Sequence, residues 1–362
     1  MLALLLVLGW AKPSAAWTKT GHMEIAALAY DALPRAARAE LVALLRQHPR
    51  FQQDFVPQLP ATLSGEAQAR WIFMWAAVWP DLARGQPEFD RSNWHYVNLP
   101  LTLERGALAS CRQARAEYPA SHRKVQAELA RRHPERAART AQSAWLTPIG
   151  PDELRPALAW ASRTLQGRGL PAAQRALALS WLLHLVGDAL QPLHAVALFT
   201  AGRFEFGDRG GNEIVVQGQG PLHRLWDALL GDDSESATSY GAVSASVERW
   251  RQVPELASLA PKARLGLDVD AWLDEDCALA RSSVYTPPVL AEVQGFESRR
   301  AAGPAKPDEA KPEVALDAAY RQQATLAAER RAVQGGARLA ALLAQLWKAP
   351  AQFRSEGLRP RP

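Results

Sequence analysis

LALSWLLHLVGDALQPLH (177–194) is the stretch that decides the fold. It is apolar nearly all round, the pattern of a helix enclosed by protein on every side, so it is expected at the centre of a helical domain. Pro192 should bend or end it just before His194. Its polar exceptions are informative. His184 and Asp188 stand four positions apart and therefore share one helix face. A carboxylate on so apolar a helix is costly to bury unless it is paired or metal-bound.

Working outward, the four-residue step recurs in His223 and Asp227 of PLHRLWDALL (221–230). Upstream stand Asp81 in WPD, His95 in WHY, and His22 near the start. A lone His on an apolar face is usually a satisfied core residue, and one such pair arises by chance. Two His/Asp pairs with His194 at a fixed offset are harder to dismiss. Imidazole and carboxylate donors without a thiolate suit catalytic rather than structural zinc. His48, His122 and His133 lie in polar segments and read as ordinary surface residues.

The rest of the chain is mostly helical in pattern. Apolar residues recur at helical spacing over 22–33, 36–48 and 70–84, and amphipathic helix resumes over 314–347 with a break at Gly335–Gly336. RFEFGDRGGNEIVVQG (203–218) carries a hairpin signal with Gly210–Gly211 as its turn. Residues 112–165 read as an exposed helical excursion, and the polar, Pro-rich 295–313 as a flexible loop. Residues 350–362 are expected to be a disordered tail.

MLALLLVLGW is an apolar segment too short to span a bilayer, and KPSAA supplies small residues ahead of a cut after Ala16. Residues 1–16 thus read as a signal peptide, although its basic n-region is missing. Cleavage would make Trp17 the terminus, and a free α-amine can lose its proton and bind metal. No later stretch is apolar enough for a membrane span. The formal charge of +5 suits anionic substrates but is far from a nucleic-acid-coating tail. Cys111 and Cys277 leave two readings open, a disulfide in an oxidising space or two inert buried thiols.

WTKTGH (17–22), AVWPDLAR (77–84), WHYVN (94–98), HLVGDALQPLH (184–194), DRGGNEIVV (208–216) and LHRLWD (222–227) together resemble the S1/P1 nuclease family of zinc-dependent enzymes that cut single-stranded nucleic acids. The resemblance implies a mainly α fold of the phospholipase C/P1 nuclease type. It is a single compact domain over 17–349, with a small β-hairpin near the site and with 112–165 and 295–313 as insertions. It also implies three Zn²⁺ ions. Asp81, His95, His184 and Asp188 would hold one, His194, His223 and Asp227 a second. The Trp17 amine and carbonyl, His22 and Asp188 would hold the third. In the same way it implies a phosphate clamp at Arg84 and a base-stacking aromatic at Tyr96. It places substrate contacts at Asn98 and Asn212, with Asp81 and Asp188 counted as catalytic. Asn98 is an amide where many relatives carry an acid, and an amide both donates and accepts hydrogen bonds. Asn212 has a second reading, the shaping of its own turn.

The expected activity is hydrolysis of single-stranded DNA or RNA to 5′-phosphate products, with 3′-nucleotidase activity, by a secreted or periplasmic monomer without stable membrane association. Two other readings compete. A zinc phospholipase C shares the fold and much of the ligand spacing, but its final ligand is glutamate where this chain has Asp227. A secreted helical binding protein would carry the His/Asp pairs as structural groups and hold no stoichiometric zinc.

Overall fold

The computed structural model describes residues 17–132, 145–146, 152–302 and 311–348. The leader, His133 and the 350–362 tail, each read from sequence above, lie outside the described residues. Helices dominate, and the expected mainly α class holds. The deciding stretch forms the helix Ala172–Asp188, in which every residue from Ala176 onward is buried. Each Leu or Val enclosed there stabilises the fold by about 1.5–3 kcal/mol. The helix stops at Asp188, earlier than the apolar pattern suggests. Pro192 instead opens a separate turn, Pro192–Ala195, which the Gln191 side chain caps through Leu193 N–H.

Helix Ala172–Asp188 packs on Leu154–Gln166 and on Gly65–Leu82. The first helix, Lys19–Ala32, is capped by Thr18 and packs on Gly65–Leu82 and on the long closing helix Ala318–Lys348. That closing helix runs unbroken through Gly335 and Gly336, against the expected interruption. A Cβ on Gly336 would sit 2.3 Å from Leu28 Cβ, and one on Gly335 2.9 Å from Leu190 Cδ1. The glycines permit close helix approach, and that packing outweighs their low propensity of roughly 1 kcal/mol each.

Other expectations also need correction. Residues 154–166 are no exposed excursion: Leu154, Leu158, Trp160 and Leu165 are buried against the central helix. Only Cys111–Arg132, among the described residues of that stretch, is a largely exposed helix. Residues 295–302 continue the helix Pro287–Ala302 rather than forming a loop. Gly210–Gly211 is not a hairpin turn. The hairpin lies further on, with Val215–Val216 antiparallel to Gly220–Pro221, and leads directly into the site helix Leu222–Asp227. His48 is buried rather than on the surface, packed against Trp79 and Phe55. His122 is half-buried and shares a hydrogen bond with Tyr118.

Two short parallel strands leave the centre of the molecule side by side, Leu99–Glu104 and Val196–Phe199, with Leu99 opposite Val196. They begin just after His95 and His194 and hold these residues next to each other, with Val97 N–H donating to His194 O at 2.8 Å. Cys111 and Cys277 are joined as a disulfide across a separation of 166 residues. It ties helix Cys111–Arg132 to helix Val269–Leu279.

Candidate metal centre

Asp188 is fully buried at the end of the central helix, and four histidines converge on it. Its Oδ2 lies 3.0 Å from His95 Nδ1 and 3.2 Å from His184 Nε2. Its Oδ1 lies 3.4 Å from His22 Nε2 and 4.0 Å from His194 Nδ1. Asp81, at the end of helix Gly65–Leu82, brings Oδ1 to 3.9 Å from both His95 Nδ1 and His184 Nε2. Beside this cage, His194 Nε2 and His223 Nε2 lie 3.2 Å apart, with Asp227 Oδ2 3.5 Å from the latter. Three sets of donors result: His22/His184/Asp188, Asp81/His95/His184 and His194/His223/Asp227.

The hydrogen bonds behind these rings say what belongs between them. A carbonyl oxygen only accepts, so an imidazole nitrogen against one must carry its proton. His184 Nδ1 faces Ala77 O at 2.7 Å, His194 Nδ1 faces His95 O at 2.6 Å, and His223 Nδ1 faces Gly210 O at 2.5 Å. Each neutral ring therefore presents Nε2 as a bare lone pair. Two such lone pairs at 3.2 Å repel unless a cation sits between them. Tetrahedral zinc with bonds of ~2.0–2.1 Å spaces its nitrogen ligands by roughly 3.3 Å. His22 Nε2 and Asp188 Oδ1, which face each other at 3.4 Å inside the cage, are also buried without a hydrogen-bond partner. Such orphans cost about 1–3 kcal/mol each unless something binds them. The donor set fits a metal, and its nitrogen and oxygen chemistry fits zinc.

Electrostatics agree. Burial pushes His22, His95, His194 and His223 down, His95 to about 4 and His223 to about 3, which keeps them in the neutral, ligating form. Burial acts on His184 in the same direction, but Asp188 and Asp81 outweigh it and raise its pKa. Burial would raise Asp81, yet Arg84 and the neighbouring histidines bring it to about 2.

Several groups that position the ligands escaped the sequence reading. Gln191 donates to Asp227 Oδ1 at 2.7 Å, which leaves Oδ2 for the cage. Gly210 (φ 61°) supplies the carbonyl behind His223, and a Cβ there would lie 2.2 Å from Leu193 O. Buried Asp208 organises that loop, accepting from Leu198 N–H at 2.9 Å and Tyr285 OH at 2.8 Å. Its desolvation, only partly offset by these donors, lifts its pKa to about 6. A lone Asp heading a Gly-Gly turn was the available signal for it, whereas a backbone carbonyl leaves none.

The S1/P1 Nuclease family model matches residues 154–348. The chain belongs to that family. No curated protein matches it significantly. Membership in the S1/P1 nuclease family makes the chain a hydrolase acting on nucleic acids and dependent on metal. The matched span contains His184, Asp188, His194, His223 and Asp227, whereas His22, Asp81 and His95 precede it. The fold itself joins those three to the S1/P1 segment.

Trp17 is fully buried, and its Nε1 donates to Gly187 O at 3.0 Å, next to Asp188. Thr18 N–H bonds Asp227 O at 3.1 Å, and Thr18 and Thr20 hydroxyls reach Gly231 O and Asp232 O. The start of the first helix is thus fastened to the second metal-site helix. Arg84 Nε bonds Asp81 Oδ1 at 2.9 Å, which puts its guanidinium at the rim of the cage. Tyr96 is half-buried, with its hydroxyl on Asn93 Oδ1 and its carbonyl accepting from Leu154 N–H. Asn98 has φ 63°, a left-handed conformation that Asn tolerates, so its backbone also accounts for the residue type. Asn212 is outside the ligand sets; its amide donates to Arg209 O and closes its own turn.

Proposed function

We propose that the chain is an exported zinc phosphodiesterase that hydrolyses single-stranded DNA and RNA to 5′-phosphate products, with 3′-nucleotidase activity, through three zinc ions. The reading is carried by the paired lone pairs of His194 and His223 beside the orphaned donors around Asp188. Asp81, His95, His184 and Asp188 would hold one zinc and His194, His223 and Asp227 another. His22 and Asp188, with the Trp17 amine and carbonyl of the cleaved chain, would hold the third, so that Asp188 serves two ions. Zinc bound there supplies Lewis acidity toward phosphoryl oxygens and acidifies water.

The protein's own contribution is positional. Ala77 O, His95 O and Gly210 O fix the ring tautomers, and Gln191 fixes Asp227. Arg84, held by Asp81, offers its guanidinium to a non-bridging phosphate oxygen. Tyr96 presents a ring for a base, a contact open only to unstacked nucleotides. Asn98 and Asn212 line the approach. The leader over 1–16 directs export. The Cys111–Cys277 disulfide suits an oxidising compartment, and no helix among the described residues is long and apolar enough to cross a membrane.

Product analysis tests the reading directly. The zinc-loaded protein, starting at Trp17, is incubated with single-stranded DNA, RNA, a 3′-nucleotide and lecithin. Nucleotides ending in 5′-phosphate are expected. Diacylglycerol without nucleotide release would instead establish the phospholipase C reading, and neither product would remove both.

A further inference from the structure

We propose that helix Cys111–Arg132 is a docking arm for the backbone of the nucleic-acid strand, extending the substrate track beyond the metal centre. The inference rests on the nuclease reading above. The helix carries six Lys/Arg and two Glu, a net +4 in a chain whose total is +5. Nearly all the protein's excess charge is therefore placed on this one element.

The charge is directed outward. Ala114 and Tyr118 form the buried face, and Arg115 on the flank pairs with Asp274 at 2.7 Å. The opposite face shows Arg112, Ala116, Ala120, Arg123, Ala127 and Arg131, all exposed. Arg131 is paired with Glu128 at 2.7 Å, a solvent-exposed pair that a phosphate can displace at little cost. Alanines between arginines leave a low ridge on which a backbone can lie. Arg112 and Arg123 are eleven positions apart, almost in line on one face, and separated by ~16 Å at 1.5 Å per residue. That spans more than one nucleotide.

The position follows from the sheet. The helix packs along strand Leu99–Glu104, which starts three residues after Tyr96. Tyr118 lies under Arg155, 4.7 Å from the ring centre, and Leu154 next to it donates to Tyr96 O. Six residues on, Lys124 Nζ donates to Glu205 O at 3.1 Å and lies over the Phe206 ring. Glu205 and Phe206 belong to the turn between Val196–Phe199 and the Gly210 loop behind His223. The middle of the arm is thus joined on one side to the Tyr96 wall and on the other to the loop that positions His223. The disulfide and the Arg115 ion pairs secure its base.

Basic side chains in register on a fixed helix meet phosphates as charges, without reading the bases. The arm should therefore favour long strands over short ones, in a salt-dependent way. The test compares kcat/KM for a single-stranded 20-mer and for a dinucleotide, across a salt series, in the native chain and in the R112Q/R123Q/R131Q variant. The variant is expected to lose roughly tenfold on the 20-mer at low salt and nothing on the dinucleotide. Its log–log salt slope should flatten by about 2, at about 0.7 per lost phosphate contact. The R112K/R123K/R131K variant should behave as the native chain.

Equal losses on both substrates, or no loss on either, would overturn the arm. So would substitutions that release the protein from phosphatidylserine vesicles while leaving 20-mer cleavage intact, which would make the ridge a membrane contact. A native chain that cleaves neither substrate sinks the nuclease reading, and the arm with it. One that cleaves both with the same salt slope sinks the arm alone.

Discussion

Replacing Gly187 by Ala tests the metal centre without substituting any of its proposed ligands. A Cβ at that position would lie 2.9 Å from His22 Nδ1 and 3.1 Å from its Cε1. Ordinary contact begins near 3.4 Å, so the ring must retreat by about half an ångström. It has little freedom to do so, because it stacks on His184 with centroids 3.9 Å apart. Metal sites tolerate about 0.2 Å of error in ligand distance. Gly187→Ala should therefore lose the ion proposed for His22 and Asp188. The intrinsic helix preference moves the other way, favouring Ala by up to ~1 kcal/mol. Overpacking at a buried site costs about 1–3 kcal/mol, so the metal-free variant should melt lower than the native chain by that cost less the helix gain. Metal-dependent stabilisation falls by a further ~3–4 kcal/mol at 100–1,000 times the dissociation constant. Elemental analysis after dialysis, with thermal melts in zinc and in chelator, measures both. A variant that retains the full zinc complement and native turnover would refute the assigned place of His22.

Asp188→Asn should remove at least one zinc and nearly all turnover, because its two oxygens face different histidines; full zinc content with near-native rates would contradict that bridging position. A protein starting at Trp17 should bind one more zinc than one with a few extra residues ahead of it, since an amide nitrogen is a poor donor; equal stoichiometry, with the extension confirmed intact by mass, counts against the terminal amine. Glu24 is buried in the first helix, where desolvation outweighs Ser246 and Arg249 and lifts its pKa from 4.5 to about 8. The folded state thus holds a proton that the unfolded chain releases, and stability declines between pH 4.5 and 8 by ~1.4 kcal/mol per unit. Glu24→Gln should remove that decline, so its advantage in urea unfolding grows from pH 5 to pH 8 by about 3–4 kcal/mol; a constant difference would show that Glu24 does not titrate there.

The fold was legible where one rule governed an element. An all-round apolar run has only the interior to occupy, and 176–188 occupies it. It was illegible where two rules competed. Gly335–Gly336 reads as a break by propensity, yet the first helix approaches so closely at Leu28 that only glycine fits. Gly210–Gly211 reads as a hairpin turn by composition, yet its positive φ values serve to bring a carbonyl to His223. The Arg- and Pro-rich surroundings of 154–166 concealed an amphipathic helix whose apolar face lies on the central one.

The candidate ligands were legible for a related reason. A His or Asp on an apolar helix is a local contradiction that only a partner resolves, and a four-residue step shows that two contradictions share a face. The groups that make those residues competent carry no such mark. Ala77 O, His95 O and Gly210 O are peptide carbonyls, available at every position of the chain, and three-dimensional approach alone selects them. Those carbonyls turn three imidazoles into lone pairs aimed inward. Without those carbonyls, His194 or His223 could adopt the Nε2–H tautomer and close an ordinary hydrogen bond to the other across 3.2 Å. With both Nδ1 protons committed to carbonyls, that escape is closed, and the pair is stable only around a positive charge.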